Sequence, residues 1–377
     1  MEKVDVIIIG GGLAGLTAAI HLSKGGLSVI LIEKNSYPKH KVCGEYISNE
    51  VLPYLESLGL NIDSLQPTTI THLEFSTSKG NTIRAELPMG GFGISRYALD
   101  NYLYENAIEN GCTIVNSNVE NITFDKDTFS IFTDKNVTFL SRITLGAYGK
   151  RSNIDYKLDR NFIKKKSPWL AVKAHYSGSF PNHLVGLHNF EGGYCGVSKV
   201  ENNVINICWL GDYQTFSQYK NIDAYQKTVL YKNPKLKAIF ENANLLFEKP
   251  LTISQISFSK KNSIENHVLM IGDTAGLIHP LCGNGMAMAI HSAKIASNLV
   301  INYCNGIISR TNLEKEYHSQ WHFHFHKRLK TGRQLSAMLQ KKQFTEVLLR
   351  LFVLLPFLLP LLIKRTHGKP ITLQHAS

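Results

Sequence analysis

The chain has little that would staple, anchor or chelate. Its six cysteines, Cys43, Cys112, Cys195, Cys208, Cys282 and Cys304, form no C-x-x-C pair, so disulfide-reductase chemistry and zinc-type spacing are excluded and reduced thiols are expected. No secretory signal opens it, because the short apolar run Val6–Ile9 passes straight into glycines, and a cytoplasmic location is expected. A spanning helix needs about 20 predominantly apolar residues. The leucine-rich run Leu351–Ile363 has thirteen, with Pro356 and Pro360 inside it. Internal repeats and low-complexity linkers are also missing. Over 377 residues, 44% hydrophobic and 19% charged residues suffice for a large core and two or three structural units, which rules out a disordered chain.

Net charge is small everywhere but in the tail. Lys and Arg number 41 against 29 Asp and Glu, a formal charge of +12, yet from Arg310 onward twelve basic residues face three acidic ones. That tail holds +9 of the excess, with Lys327, Arg328, Lys330, Arg333, Lys341 and Lys342 before the leucine-rich run and Lys364-Arg365 after it. Such a pattern suits a membrane surface, giving a peripheral association, or an acidic carrier protein. No nucleic acid is expected, since neither a recognition fold nor interleaved aromatics accompany the charges. The run itself reads as a helix packed on the body, a monotopic membrane contact or the wall of a lipid-sized pocket. His318, His322 and His326 recur every four residues as one polar helical face without a carboxylate or thiolate partner, so no metal site is expected.

What is present begins at once. Val6–Ile9 is a β-branched run of the kind that fills a buried parallel strand, and Gly10-Gly11-Gly12-Leu13-Ala14-Gly15 follows it. Gly10, Gly12 and Gly15 fit G-x-G-x-x-G. A helix through Leu16, Ala19, Ile20 and Leu22 should stop at Gly25-Gly26 and give way to a strand, Val29–Ile32, ending in Glu33. In that order Gly10 makes the turn, Gly12 admits a pyrophosphate, Gly15 lets helix meet strand, and Leu13 and Ala14 open a helix whose N–H groups face the phosphates. Glu33 stands where a carboxylate accepts from an adenosine ribose. This is a dinucleotide site, and the pattern alone does not choose between NAD and FAD.

Distant segments choose. Val268–Ile271 reads as a buried strand leading to Gly272-Asp273-Thr274-Ala275-Gly276, then His279-Pro280, then Gly283-Asn284-Gly285 opening a helix. This constellation resembles the second cofactor motif of the para-hydroxybenzoate hydroxylase-like flavoprotein superfamily, which includes group A monooxygenases, geranylgeranyl reductases and flavin-dependent halogenases. The resemblance implies FAD, with Asp273 on the ribityl hydroxyls and Gly283, Asn284 and Gly285 bringing backbone donors to the pyrimidine edge. Arg96, in Arg96-Tyr97-Ala98-Leu99-Asp100, is similarly implied on the flavin side, and Val119 near adenine. One departure stands out: Gly146-Ala147-Tyr148-Gly149 lies where the family shows Gly-Ala-Asp-Gly, an aspartate linked to NAD(P)H use. NADPH or NADH is therefore a possible reductant, with Lys150 and Arg151 as candidates for its phosphates. No second G-x-G-x-x-G follows a strand, so no separate NAD(P)H domain is expected.

Cys43-Gly44 resembles the segment of geranylgeranyl reductases that approaches the flavin ring. Flanked by Lys39, His40 and Lys41, Cys43 reads either as a catalytic thiol or as a small residue that fits beneath the ring, with Gly44 at the cofactor. Tyr194, in Gly192-Gly193-Tyr194-Cys195-Gly196, is a substrate-pocket and catalytic candidate near the family's aromatic motif; no Trp-x-Trp stands there, which argues against a tryptophan-type halogenase.

The expected fold is α/β. A discontinuous Rossmann-type FAD-binding domain (1–45, 90–160 and 262–300) joins a mostly antiparallel substrate sheet domain (46–89 and 161–261) and a helical basic and apolar C-terminal region (301–377). The expected function is an FAD-dependent oxidoreductase, first a monooxygenase that hydroxylates or epoxidises an apolar or aromatic small molecule. The alternatives are a geranylgeranyl-reductase-like enzyme saturating prenyl or polyene double bonds and, given Tyr148, a flavin-retaining binding protein without turnover.

Overall fold

The computed structural model describes residues 3–339 and, beyond them, 351–352, 354–355, 360, 363–365 and 367–372. Lys341, Lys342 and most of the leucine-rich run lie outside the described residues.

Two sheets organise the chain, and each follows from its residue pattern. In the first, Val268–Met270, Thr138–Gly146, Lys3–Ile9, Val29–Glu33 and Thr113–Asn116 lie side by side in parallel, with Ile264–Glu265 antiparallel at the edge. Val6, Ile7 and Ile8 are wholly buried, as an apolar run covered on both faces must be, and each burial contributes about 1.5–3 kcal/mol. The helix Leu13–Lys24 packs between two others, Arg96–Glu109 and Gly285–Cys304. A hairpin, Val119–Asp125 with Thr128–Thr133, extends the sheet from Thr138–Gly146.

The second sheet is mostly antiparallel. Its path runs Ala243–Leu245, Trp169–Gly178, Ile205–Asp212, Gly193–Lys199, Leu184–Phe190, Thr68–Ser76, Thr82–Gly93 and Tyr46–Ser48, with Leu251–Ser254 also on Trp169–Gly178. A single parallel step joins Leu184–Phe190 to Thr68–Ser76. The strand Trp169–Gly178 shows how its two faces divide. Leu170, Val172, Ala174 and Tyr176 pack with Tyr225, Leu236 and Phe240 of two outer helices, Ile222–Thr228 and Pro234–Glu241. Trp169 and Ala171, one residue out of phase, turn the other way and join Tyr194, Leu210, Ile256 and Leu277. That inner face meets the first sheet's loops, and the site lies there.

The 30-residue helix Arg310–Leu339 packs on Gly285–Cys304. Of the leucine-rich run, Phe352 lies edge-on to Phe75 at 6.4 Å, Ile363 is buried with Tyr46, Ile70 and Leu73, and Leu354 is 76% exposed. Among the described residues no helix is long and apolar enough to cross a membrane.

Candidate functional site

Both sheets and the tail enclose a cavity of about 840 Å³. Gly10, Gly12, Leu13, Ala14, Glu33, Gly44, Arg96, Asp273, Gly283, Asn284 and Gly285 line it, and so do Cys43 and Tyr194. Two of the residues expected at the cofactor do not. Gly15 is turned against the strand: a Cβ there would lie 2.0 Å from the Gly10 carbonyl oxygen, so its hydrogen is what lets the helix sit on the sheet. Val119 lies off the wall, 5% exposed in the core beside its cross-strand partner Thr133, because the first residue of its strand points into the sheet's apolar interior.

The nucleotide end is built from unfilled donors and a tethered acid. Gly10 holds φ +105°, and any side chain on it would strike Ala147. No side chain caps the helix Leu13–Lys24, which leaves its first-turn N–H groups available to an anion. Where Gly12 lacks a Cβ, the nearest atom is Arg96 Nη2 at 3.7 Å, leaving room for a phosphate. Glu33 Oε2 accepts from the Gly11 N–H at 2.7 Å, and Oε1 accepts from the Asn35 N–H at 3.0 Å, which aims the carboxylate along the cavity edge.

Across the cavity, the strand Val268–Met270 delivers Asp273, whose carboxylate accepts no hydrogen bond among the described residues. Its backbone is pinned instead: Lys261 Nζ donates to the carbonyls of Asp273 at 2.8 Å and Lys150 at 3.0 Å, tying two cavity turns together. Burial lowers the Lys261 pKa to about 8. The Asn284 side chain is fixed between Glu50 at 3.4 Å and Arg328 at 3.2 Å, so the following helix presents its open amino terminus to the cavity. Arg96 forms two bonds to Asp100, of 2.7 and 2.8 Å. Burial opposes its charge, yet Asp100 raises its pKa, so it is a fixed cation. These donors, acids and open turns fit FAD, which when bound supplies electron and hydride transfer. Glu33 would hold its ribose, Gly12 to Ala14 its phosphates, and Asp273 with Gly283–Gly285 its flavin part.

The Cys43 Sγ is 3.4 Å from Met286 Sδ, and the Cys43 carbonyl accepts from Asn206 Nδ2 at 3.3 Å. The neighbouring basic residues are engaged elsewhere: Lys39 with Asn35, Lys41 with Asp100 at 2.9 Å, and the His40 ring against Tyr97 at 4.5 Å. Tyr194 stands against His279 at 5.7 Å between ring centroids, and burial pushes its phenol pKa far up. Lys150 Nζ donates to the Val42 carbonyl at 3.1 Å, and Arg151 donates to the Tyr156 hydroxyl, so both have partners within the chain. Tyr148 packs its hydroxyl on Met270 Sδ at 3.3 Å.

One group was missed from sequence. Glu45 is fully buried in a left-handed conformation (φ +54°) directly after Cys43-Gly44. Its Oε1 accepts from the Arg96 N–H at 2.8 Å and Lys173 Nζ at 3.0 Å, and its Oε2 bonds His175 Nε2 at 2.7 Å. Burial opposes its charge, but His175 and Lys173 hold its pKa below the usual carboxylate value. The available signal was Lys173 and His175, two polar residues with strand spacing in an otherwise apolar strand.

A two-sheet fold with a dinucleotide turn, an acid and an open helix start around one cavity fits an FAD-dependent oxidoreductase. A family model described as an FAD binding domain matches residues 3–324, and the chain belongs to that family. The digeranylgeranylglycerophospholipid reductase of Methanococcus vannielii is 24% identical over 374 residues, covering 92% of this chain and 89% of that protein. The menaquinone reductase of Mycolicibacterium smegmatis is 22% identical over 373 residues, covering 92% and 87%. The myxobacterial chondrochloren halogenase shares the fold with a TM-score of 0.77 at 16% identity, over 99% of this chain and 94% of that one. With enzymes as relatives, the chain is read as an oxidoreductase and not as a flavin-retaining binding protein.

Proposed function

We propose that the chain is a flavin-dependent reductase that saturates carbon–carbon double bonds in a long apolar chain. One observation carries this reading: the wall that holds Cys43 beside the flavin residues continues as an apolar lumen through Leu73, Phe75, Leu87, Val185, Phe352 and Ile363. Such a wall excludes water and orients a flexible chain by contact alone. Cys43 Sγ is the atom assigned to deliver a proton to the substrate carbon. Asp273 and Arg96 keep the cofactor side fixed while the apolar residues set the depth of the chain. The two reductases named above support this choice, which reverses the order expected from sequence.

A hydroxylase remains the second reading, favoured by the Tyr194 ring at the cavity wall, which suits a flat ring. The test is anaerobic turnover of the FAD-loaded protein, reduced by NADPH or dithionite, with a prenyl alcohol. Uptake of two hydrogens per double bond without oxygen, lost in Cys43→Ala with flavin retained, is the expected result. Oxygen-dependent hydroxylation, or full reductase turnover by Cys43→Ala, refutes the assignment.

A further inference from the structure

A second cavity, of about 830 Å³, adjoins the first and shares Tyr46, Leu87, Ile363 and His367 with it. The helices Gly285–Cys304 and Arg310–Leu339, the segment Pro88–Gly90 and the tail residues 363–364 and 367–372 form its wall. Its chemistry differs from that of its neighbour. His291, Lys294, His324, Arg328, Lys364 and Lys369 converge on it, and among the described residues no Asp or Glu lines it.

These charges are only partly compensated. Arg328 Nη1 pairs with Glu50 Oε1 at 3.2 Å, which lies behind the wall. Lys294 donates to the Thr372 carbonyl, a neutral partner that leaves its charge in place. Lys364 and Lys369 form no ion pair among the described residues and are exposed at the rim. His291 supplies an independent sign. It is only 8% exposed, it lines the cavity, and its Nδ1 has no hydrogen-bond partner. A buried ring nitrogen without a partner is uncommon and marks a place where a ligand or water completes the bonding. Burial and the neighbouring His324, Arg328 and Lys294 lower its pKa to about 3, so it meets the ligand as a neutral imidazole.

We propose that the second cavity is a phosphate-binding site, with Lys294, Lys364 and Lys369 as the charged contacts and His291 as a buried polar contact. A multiply charged, multi-acceptor anion uses several converging cations, and this geometry offers them from one helix and the tail at once. The phosphate arrives either free or as the head of an amphiphile whose chain passes Tyr46, Leu87 and Ile363 into the first cavity. The site rests on the second cavity alone and stands or falls apart from the reductase reading.

Calorimetric titration of the FAD-loaded full chain with inorganic phosphate, decyl phosphate and decanol, at about 0.1 M salt, tests it. At least one phosphate probe is expected to bind, and the double variant Lys364→Ala/Lys369→Ala should weaken that binding about tenfold with flavin content and decanol affinity unchanged. Decyl phosphate binding tighter than both other probes identifies the amphiphile head, and inorganic phosphate binding equally well identifies the free ion; both support the site. Decyl phosphate and decanol binding alike while inorganic phosphate does not bind overturns it, as does phosphate binding that the double variant leaves intact.

Discussion

Replacing Glu45 with Gln should expose how the reacting-face loop is held. Glu45 and Lys173 are both 0% exposed and 3.0 Å apart, so neither charge has water to fall back on. At an effective dielectric of about 20, such a pair attracts by about 5 kcal/mol, and leaving one partner buried alone costs about 3–5 kcal/mol. Glu45→Gln keeps an acceptor for the Arg96 N–H but strands the Lys173 ammonium, so a loss in that range is expected against a total stability of about 5–15 kcal/mol. Lys173→Met should cost less, since His175 and the Arg96 N–H still serve the carboxylate. The double variant removes both charges and should recover about 2 kcal/mol or more relative to the sum of the singles. Urea unfolding of the FAD-loaded proteins measures all three. Additive single effects would refute the buried-pair argument, and a Glu45→Gln loss below about 1 kcal/mol would show that water reaches the cluster. In the stable double variant the Cys43–Gly44 loop loses its anchor, and turnover should fall further than flavin content.

Two other perturbations test separate parts of the molecule. Asp273→Ala removes the acid assigned to the ribityl hydroxyls, and loss of charge-assisted bonds worth about 1.5–3 kcal/mol should weaken FAD binding by about 10- to 100-fold in a titration of the apoprotein; unchanged affinity rejects the assignment. Acid should destabilise the fold before any carboxylate titrates. Burial depresses the pKa values of His188 to about 4 and of His279 and His291 to about 3, whereas unfolded histidine titrates near 6.5. Below 6.5 the unfolded chain binds protons that the folded one refuses, so stability is lost as pH falls, by about 1.4 kcal/mol per histidine from pH 7.5 to 5.5. A thermal midpoint that does not fall over that range contradicts the buried neutral state.

Local pattern carried the cofactor strands of the first sheet, but not Thr138–Gly146, the hairpin beside it or the edge strand Ile264–Glu265. Val6–Ile9, the glycine turn and Glu33 are contiguous in sequence, and their roles depend on backbone geometry that the residues themselves dictate. The Gly272-Asp273 turn and Gly283–Gly285 were legible for the same reason: each is a strand end or a helix start, where one conformation serves one purpose. The alternating strands of the second sheet were also readable, although the parallel step between Leu184–Phe190 and Thr68–Ser76 was not, because alternation says nothing about which strand pairs with which. Val119 was expected to bring its backbone, not its side chain, near adenine, so the burial of its side chain does not bear on that role.

The reacting face was hardest to read because its electrostatics are assembled from distant segments. Sequence adjacency suggested that Lys39, His40 and Lys41 surround the Cys43 thiol; in the fold each turns to another partner. Asp100 fixes Arg96 from the next helical turn, while Glu45 holds the Arg96 backbone and, through Lys173 and His175, the inner face of the second sheet. The tail enters by the same logic. Arg328, 44 positions after Asn284, reaches back to clamp both Asn284 and Glu50, so part of the tail's positive charge helps to fix the loop that faces the flavin. Of that charge, Arg328 serves the interior.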